Sequence, residues 1–338
     1  MQQIGKVHEL NNSSQNYFRK CYLKYSKDCG KNLSDCTQLG CLQNVGFSCY
    51  LDSVLFALFA IHNDFIDENI LFKKINKSTH LKISIIQKYL IAITRSIRLT
   101  KDITRCTGLR RIMKLCKMSG MPDFSTPTQQ EAGEFLIYIL TLFNADKFTK
   151  TRTITYGTNS LAKYVITKKL KKTSCVVDKE SSIVIFLDSF LLRTKNKTSI
   201  HNLLIQRNDS GELDSNNLFK YNNTKFKRRI QITSVQDAPY LIFWAQRADP
   251  ITESVLHTNI YPNKCITLPS NKTLYLNSII IHIGYIDFGH YITYFRYKKS
   301  WYEYDDTNAS IVKIGNYKSM LKYSPNPVTN GVLYFYSV

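Results

Sequence analysis

The hydrophobic pattern of the sequence changes near residue 150, and this change constrains the fold more than any other feature. Before it, apolar residues recur with the 3.6-residue period of helices, which predicts three helices at residues 50–60, 80–97 and 128–143. After it, short β-branched and aromatic runs predict strands at residues 151–156, 183–187, 230–233, 240–245, 278–283, 291–297 and 332–338. Helices followed by strands predict an α+β fold.

Cap and loop signals add two local predictions. Thr128 followed by Glu131 matches a capping box, in which each side chain accepts from a free N–H group at the start of a helix. We therefore begin the third predicted helix at Thr128. Residues 207–225 are mostly polar, and we predict a surface loop or insertion there.

Composition excludes several classes of protein. With 43% hydrophobic residues the chain can build a core, which excludes disorder throughout, and only 13 glycines among 338 residues exclude a collagen-like chain. No apolar segment approaches the roughly 20 residues that span a bilayer. The polar N-terminus has no signal-peptide pattern, so we expect an intracellular protein whose nine cysteines are thiols.

The charge balance is strongly basic. Lys and Arg number 46 against 25 Asp and Glu, for a formal net charge of +21. Such a charge favours an anionic partner, either a nucleic acid or a membrane surface, although a solvated charged face explains it equally well. The densest basic clusters are formed by Lys168, Lys169, Lys171 and Lys172, and by Lys225, Lys227, Arg228 and Arg229.

Cys49 follows a glycine-containing loop and lies at the start of the first predicted helix. The positive end of the helix dipole stabilises a thiolate, which is the nucleophilic form of cysteine. Asn44, five residues upstream, is placed to supply an amide N–H beside the backbone N–H of Cys49, as in an oxyanion hole. The competing interpretation is a buried structural thiol, because cysteine is often a small core residue.

His290 lies between Gly289 and Tyr291 at the start of a later predicted strand. The usual pKa of histidine is close to neutral pH, so histidine is a suitable base for a cysteine nucleophile. A hairpin after His290 predicts that Asp305 returns beside it, where a carboxylate would orient the imidazole. A structural histidine and an acidic turn are the competing interpretations.

Acidic residues begin the third predicted helix. Glu131 and Glu134 are three residues apart, so they lie on adjacent turns of one face, where they are placed to bind basic side chains of a peptide. The competing interpretation is a capped, acidic first turn that only stabilises the helix.

Four segments occur in the order found in the ubiquitin-specific proteases. Residues 44–53 (NVGFSCYLDS) resemble the cysteine box of that family, and residues 129–136 resemble its Gln-Gln-Asp-Ala-x-Glu-Phe-Leu helix. Residues 239–247 (PYLIFWAQR) resemble the strand before its Arg-Phe step, and residues 275–306 resemble its histidine box. Order and rough spacing agree across residues 40–338.

This resemblance implies a papain-like cysteine peptidase fold with thumb, palm and reduced fingers. It divides the chain into an N-terminal extension of unknown role at 1–39 and a catalytic domain at 40–338, with a helical thumb part at 40–150 and mainly β fingers and palm at 151–338. The implied activity is hydrolysis of the isopeptide or peptide bond after the C-terminal glycine of ubiquitin. The implied partners are ubiquitin and ubiquitinated proteins.

The resemblance also implies catalytic roles. Cys49 matches the nucleophile, His290 the general base, Asp305 the third member of the triad, and Asn44 the oxyanion residue. Attack by Cys49 would give a thioester, which water then hydrolyses. We expect Asp306 beside the oxyanion site, where it would polarise a water, and we group it with the substrate-binding residues.

The remaining implied substrate contacts come from two segments. Glu131 and Glu134 match acidic residues that bind the arginines of the ubiquitin tail, and Gln129 begins the same segment. Gly289 and Tyr291 match residues that wall a channel admitting only the Gly-Gly end of the tail. Such a channel selects its substrate by excluding side chains.

The sequence departs from the family pattern at several positions. Asp52 replaces an asparagine just after the nucleophile, Phe47 replaces another asparagine, and Cys41 replaces a glycine. Gly133 lies inside the third predicted helix, at a cost of up to ~1 kcal/mol relative to alanine. Because the triad and Asn44 are intact, we predict an active enzyme with an altered cleft.

The cysteine content of the predicted fingers argues against a metal. The family often binds zinc there through two Cys-x-x-Cys pairs, but residues 150–265 contain only Cys175 and Cys265. Two thiolates are too few for a four-coordinate structural zinc site. We therefore predict no metal and no cofactor.

Three alternative functions stay open at this point. They are a peptidase for another ubiquitin-like protein with a Gly-Gly end, a catalytically silent ubiquitin-binding adaptor, and a basic nucleic-acid-binding protein. An adaptor would still bind ubiquitin after Cys49→Ala. A nucleic-acid-binding protein would lose affinity steeply with added salt, through counterion release.

Overall fold

A computed structural model describes most of the chain from Cys36 onward. The described residues are 36–76, 80–100, 102–114, 116–158, 174–187, 189–193, 196–206, 218–221, 224–249, 251–285 and 288–338. Most of the predicted N-terminal extension, and the cluster at residues 168–172, lie outside them. Within the described residues, no single helix is both long and apolar enough to cross a membrane, and one bent pair, Cys49–Phe59 with Asp64–Leu71, passes that test by length and composition alone.

Helices dominate the first part of the chain, as the apolar period predicts. They are α1 (Cys49–Phe59), α2 (Asp64–Ile66), α3 (Leu81–Arg95), α4 (Thr107–Met113) and α5 (Ala132–Leu142), with π-helical turns at Asp67–Leu71 and Ser96–Thr100 and a 3-10 turn at Cys36–Gln38. Later helices are α6 (Ser189–Arg193), α7 (Ile200–Gln206), α8 (Tyr317–Lys322) and α9 (Pro327–Asn330).

The predicted capping box at the third helix is wrong. Helix α5 begins at Ala132, and Glu131 is its N-cap, with a side-chain oxygen that accepts from the backbone N–H of Gly133 at 3.5 Å. The Thr128 hydroxyl instead bonds with Thr126 and accepts from the Gln130 amide. Because these side-chain bonds satisfy Thr128 locally, residues 129–131 stay outside the helix.

The strands follow the predicted runs and extend most of them. They are β1 (Cys41–Leu42), β2 (Ile103–Thr104), β3 (Thr149–Thr158), β4 (Ser174–Ser181), β5 (Val184–Leu187), β6 (Lys197–Ser199), β7 (Leu218–Tyr221), β8 (Thr224–Asp237) and β9 (Tyr240–Ala245). After them come β10 (Ala248–Asp249), β11 (Ser254–Val255), β12 (Asn259–Tyr261), β13 (Cys265–Thr267), β14 (Thr273–Gly284), β15 (Gly289–Tyr297), β16 (Ser300–Asp305), β17 (Ser310–Gly315) and β18 (Gly331–Ser337).

The largest sheet is covered on both faces. Its strand order is β17-β16-β15-β14-β18-β9-β5, with β13 pairing on β14, and its neighbours are antiparallel except β5 with β9. Side chains alternate along each strand, so Ile280 packs with the helices α1, α3 and α5 while Ile279 and Ile281 pack with a second core on the opposite face. Burial on both faces explains why these strands are nearly continuous apolar runs.

Helix α1 crosses the helical side of this sheet. Nearly all of its side chains are buried, and its Phe56 ring stacks on Tyr304 of β16 at 3.7 Å between ring centroids. A helix that is apolar on all sides belongs inside a core. This packing places the N-terminus of α1 against the hairpin formed by β15 and β16.

A second sheet of four strands, in the order β4-β3-β8-β7, is formed by the middle of the chain. It corrects the predicted loop at residues 207–225 only at 218–221 and 224–225, where β7 pairs in antiparallel register with the start of β8. Residues 207–217 and 222–223 lie outside the described residues. Backbone pairing tolerates polar side chains, so polarity alone did not indicate a loop. Residues 225–229, the second basic cluster, fall on β8, whose first half is described by its backbone alone.

Candidate active site

The predicted catalytic residues meet where helix α1 begins. Cys49 is the first residue of α1 and is only 3% exposed. The first N–H groups of a helix have no partner within the helix, and they carry partial positive charge. Cys49 therefore lies at the positive end of the α1 dipole.

The β15–β16 hairpin brings His290 and Asp305 together, as its predicted pairing requires. Strand β15 pairs with β16 in antiparallel register, with Thr293 opposite Tyr304. His290 Nε2 lies 2.8 Å from Asp305 Oδ1, and the same carboxylate oxygen accepts from the backbone N–H of Thr307 at 2.9 Å. The predicted placement of Asp305 beside His290 is confirmed.

Each member of this pair favours the charged form of the other. Hydrogen bonds with Asp305 and with the Cys49 thiol raise the pKa of His290 to about 10, although burial alone would lower it. Burial alone would raise the pKa of Asp305, but hydrogen bonds from His290 and from Thr307 outweigh it and lower that pKa. Because Nε2 is bound to Asp305, the other ring nitrogen of His290 is the one left for Cys49.

Asn44 is held in place by Asp306. Its side-chain Nδ2 donates to Asp306 Oδ2 at 3.0 Å, and its backbone N–H donates to the Asp306 carbonyl at 3.0 Å. Asp306 is fully buried, and its other carboxylate oxygen lies 3.6 Å from His290 Nε2. Asp306 therefore connects Asn44 with His290.

The loop before Cys49 is fixed by residues that the sequence motifs did not indicate. Arg110 of α4 donates to the carbonyls of Val45 and Gly46, both at 2.8 Å. Gly46 and Phe47 both have positive φ, of 55° and 59°, and Phe47 is half exposed. A positive φ is uncommon for a phenylalanine, so the loop stores backbone strain at this point.

Gln129 lies beside Cys49. Its side-chain amide is 3.9 to 4.0 Å from the Cys49 sulfur, which makes it a neighbour of the predicted nucleophile. Glu131 accepts from the Tyr291 hydroxyl at 3.0 Å, so these two predicted substrate residues also contact each other. Burial raises the pKa of Glu131 and of the half-buried Glu134.

Two glycines of the site are explained by aromatic rings. A Cβ atom on Gly133 would lie 2.1 Å from the indole of Trp244, so the helix has room at that position only for a glycine. A Cβ atom on Gly289 would lie 2.2 Å from the ring of His282. The cost of Gly133 to helix stability therefore has a packing reason.

His282 is not a second base at this site. Its ring packs beside Tyr291 at 4.6 Å between centroids, and burial followed by the charge on His290 lowers its pKa to about 4. A histidine that stays neutral and packs against a glycine and an aromatic ring is a structural residue.

One group of three side chains of the metal-binding type lies together among the described residues. It consists of His290, Asp305 and Asp306, whose donor atoms all lie within 4.8 Å of one another. These atoms bind each other and Asn44, so we assign them to hydrogen bonding and not to metal ligation. Cys175 lies on β4 and Cys265 on β13, and the prediction of no zinc stays a prediction.

The sequence matches the family described as ubiquitin carboxyl-terminal hydrolase across residues 41–336. This match covers most of the chain, so the chain belongs to that family, and the predicted membership is confirmed. It is a cysteine-type ubiquitinyl hydrolase, that is, a thiol-dependent deubiquitinase. No curated protein matches the sequence significantly.

Solved structures show the same fold. The chain is similar to the SAGA Ubp8/Sgf11/Sus1/Sgf73 DUB module bound to ubiquitin aldehyde, with a TM-score of 0.62 and 13% identity over 94% of this chain and 74% of the other. It is also similar to the same module with a variant Ubp8 bound to monoubiquitin, with a TM-score of 0.59 and 15% identity over the same shares. The predicted α+β, papain-like peptidase fold is confirmed.

Proposed function

We propose that this deubiquitinase works through Cys49, His290 and Asp305, with Asn44 as the oxyanion residue. The observation that carries the proposal is the contact of 2.8 Å between His290 Nε2 and Asp305 Oδ1, together with the effect of the neighbouring Cys49 thiol, which helps to raise the pKa of His290. A nucleophile, a base and a residue that orients the base are the parts of a cysteine protease triad.

Acylation begins with attack of the Cys49 thiolate on the carbonyl carbon of the last ubiquitin glycine. The oxyanion that forms is stabilised by the Asn44 amide and by the backbone N–H of Cys49. The His290 imidazolium then donates its proton to the leaving amine, and a thioester remains on Cys49. Asp305 keeps the imidazole oriented throughout this step.

Deacylation uses the same base in reverse. Neutral His290 takes a proton from water, the hydroxide attacks the thioester carbonyl, and the Cys49 thiolate leaves. The products are ubiquitin with a free C-terminal carboxyl group, which loses its proton to solvent, and the resting thiolate–imidazolium pair. The proton that His290 gives to the leaving amine is replaced by the one that it takes from water.

Ubiquitin is the substrate that the site and the comparisons favour. The DUB modules that share this fold carry ubiquitin aldehyde or monoubiquitin. In the present chain, Glu131 and Glu134 supply negative charge near Cys49 for the basic residues of a ubiquitin tail. Tyr291, bonded to Glu131, and Gly289 would bound the channel for its two glycines.

The test is labelling with ubiquitin whose C-terminus carries a thiol-reactive trap. Wild type should form a covalent adduct, Cys49→Ala should form none, and Cys265→Ala, which removes an exposed thiol on β13, should react like wild type. Traps built on other ubiquitin-like proteins run in parallel. Reaction with one of those traps alone would assign a different ubiquitin-like protein as the substrate. An adduct on the Cys49→Ala variant would show that Cys49 is not the nucleophile.

Two further proposals depend on the sequence alone. We propose an intracellular location, because a reducing compartment keeps the Cys49 thiol free, and an anionic partner, because the net charge is +21. Cosedimentation with anionic vesicles and binding to nucleic acid, each at two salt concentrations, would test the second. Binding that does not change with salt would contradict an electrostatic contact.

A further inference from the structure

Two buried carboxyl groups meet behind the oxyanion residue. Asp52 lies on α1, three residues after Cys49, and Asp306 directly follows β16; both are fully buried. One oxygen of each is bonded. Asp52 Oδ2 accepts from the Ser48 hydroxyl at 2.5 Å, and Asp306 Oδ2 accepts from the Asn44 amide at 3.0 Å.

The remaining oxygen of each carboxyl group has no donor. Asp52 Oδ1 and Asp306 Oδ1 are both buried without a hydrogen-bond partner among the described residues, and the two carboxyl groups lie within hydrogen-bond reach of each other. Two ionised carboxylates in this position would be two buried charges in contact, which is strongly unfavourable. A single proton between them satisfies both oxygens.

The surrounding groups show which carboxyl group holds the proton. His290 Nε2 lies 3.6 Å from Asp306 Oδ1, so the imidazolium stabilises Asp306 as a carboxylate. Asp52 contacts no cation comparably, since Arg110 of the neighbouring helix bonds to backbone carbonyls. The other titratable groups that face this pair are Asp305, Cys106, Tyr50 and Tyr304, and of these the Cys106 thiol interacts directly with Asp52.

We propose that Asp52 is a positioning residue: its protonated carboxyl group donates to Asp306 Oδ1 and thereby fixes Asp306 against the Asn44 amide. The pKa shifts of both carboxyl groups agree with this. Burial, followed by repulsion from Asp306, raises the pKa of Asp52 well above its usual range. Burial raises the pKa of Asp306 to about 6, against the opposing charge on His290.

This arrangement gives the enzyme a limit at high pH. The family pattern has asparagine at the position of Asp52, and an amide donates at any pH, whereas a carboxyl group donates only while it is protonated. When the pair loses its proton, Asp306 and Asp52 repel and Asn44 loses its fixed position. The inference rests on the proposed role of Asn44, so the loss should appear in kcat and leave KM nearly unchanged.

The first experiment detects the proton itself. Infrared spectra of the whole protein at neutral pH, in H2O and in D2O, should show a buried protonated carboxyl band that is absent from Asp52→Asn. The matched control is Asp64→Asn, which changes an exposed carboxylate and should leave the band intact. Absence of the band from wild type would overturn the proposal whether or not the enzyme is active.

The second experiment follows kcat against pH with a ubiquitin substrate. Asp52→Asn should keep kcat at neutral pH within about threefold and should hold it to a higher pH than wild type, whereas Asp52→Leu, which has no donor, should lose about tenfold or more at every pH. An alkaline limb that is present in wild type and absent from Asp52→Asn belongs to the carboxyl pair, because that variant keeps His290 and changes only the carboxyl group.

The outcomes separate this inference from the proposed function. Superimposable pH profiles of wild type and Asp52→Asn, both folded by thermal unfolding, would overturn the positioning role. A wild type that shows the carboxyl band but never reacts with a ubiquitin trap would overturn the proposed catalytic roles and leave the proton-sharing pair standing.

Discussion

Two histidine–aspartate pairs in this molecule have nearly the same geometry and different uses. At the active site, His290 Nε2 lies 2.8 Å from Asp305. In the helical part, His62 Nδ1 lies 2.7 Å from Asp67. A short contact between histidine and aspartate therefore does not identify a catalytic pair.

The difference lies in the other ring nitrogen and in the other partners of the carboxylate. Both nitrogens of His62 contact carboxylates, since its Nε2 lies 2.9 Å from Asp64, and Asp67 is also held by both terminal nitrogens of Arg98. His290 keeps one nitrogen for the Cys49 thiol. The first pair is a closed structural network, and the second is open toward a nucleophile.

The first prediction is a large loss of activity when His290 is replaced and almost none when His62 is replaced. His290→Gln should reduce kcat/KM by roughly 10⁴-fold or more, since it removes the group that moves the proton. His62→Gln is the matched control and should leave kcat/KM close to wild type. The measurement is hydrolysis of a ubiquitin substrate, and an active His290→Gln enzyme would contradict the assigned base.

The next prediction compares the two carboxylates of the site. Asp305→Ala should reduce kcat by roughly 10²- to 10⁴-fold, because the imidazole loses the group that orients it. Asp306→Ala removes the acceptor that holds the Asn44 amide. It should lower kcat because Asn44 then stabilises the oxyanion less well. If Asp305→Ala keeps most activity while Asp306→Ala loses it, the third triad member is Asp306.

Breaking the network of His62, Asp67 and Arg98 should lower the stability of the protein. Arg98→Met removes the guanidinium from the fully buried Asp67 and leaves His62 as its remaining partner, and breaking a buried ion pair typically costs about 3 to 5 kcal/mol of unfolding free energy. Denaturant unfolding measures this loss. The kcat of the folded variant should stay near wild type, and a large change in kcat at unchanged stability would show that this network is not purely structural.

The smallest effect is a pH dependence of stability. The hydrogen bond with Asp67 raises the pKa of His62 above that of an unfolded histidine, near 6.5, although burial opposes it. Its contribution is therefore fully present below that unfolded pKa and is lost as pH rises through the folded pKa. The measurement is the unfolding free energy of wild type minus that of His62→Gln as a function of pH. This difference should fall as pH rises above 6.5 and through the folded pKa of His62, and a difference that does not change with pH would contradict the raised pKa.

Much of the site could be predicted from local sequence. The apolar period placed α1 within one residue of its start, and the order of the cysteine and histidine boxes indicated Cys49, His290 and Asp305 before any contact was known. The hairpin connecting β15 to β16 is short, so its pairing follows from the alternation of its own residues. Such features depend on neighbours along the chain.

Other features could not be predicted because they join distant segments. Gln129 lies at the Cys49 sulfur, although they are 80 residues apart. Trp244 explains Gly133, which looked unfavourable inside a helix. The start of α5 at Ala132 also depends on hydrogen bonds of Thr128 that the capping pattern does not reveal.

Periodicity and motif order are properties of the chain, and they were enough to predict the class of protein, the α+β fold and the candidate triad residues. In the sequence Asp52 was merely an extra charge near α1, and its position beside Asp306, behind Asn44, became visible only in the folded protein. The physical reason is that the energy of a buried carboxyl group depends on which groups surround it in space. Those groups come from α1, from the end of β16 and from the loop before Cys49, and sheet register and helix packing bring them together.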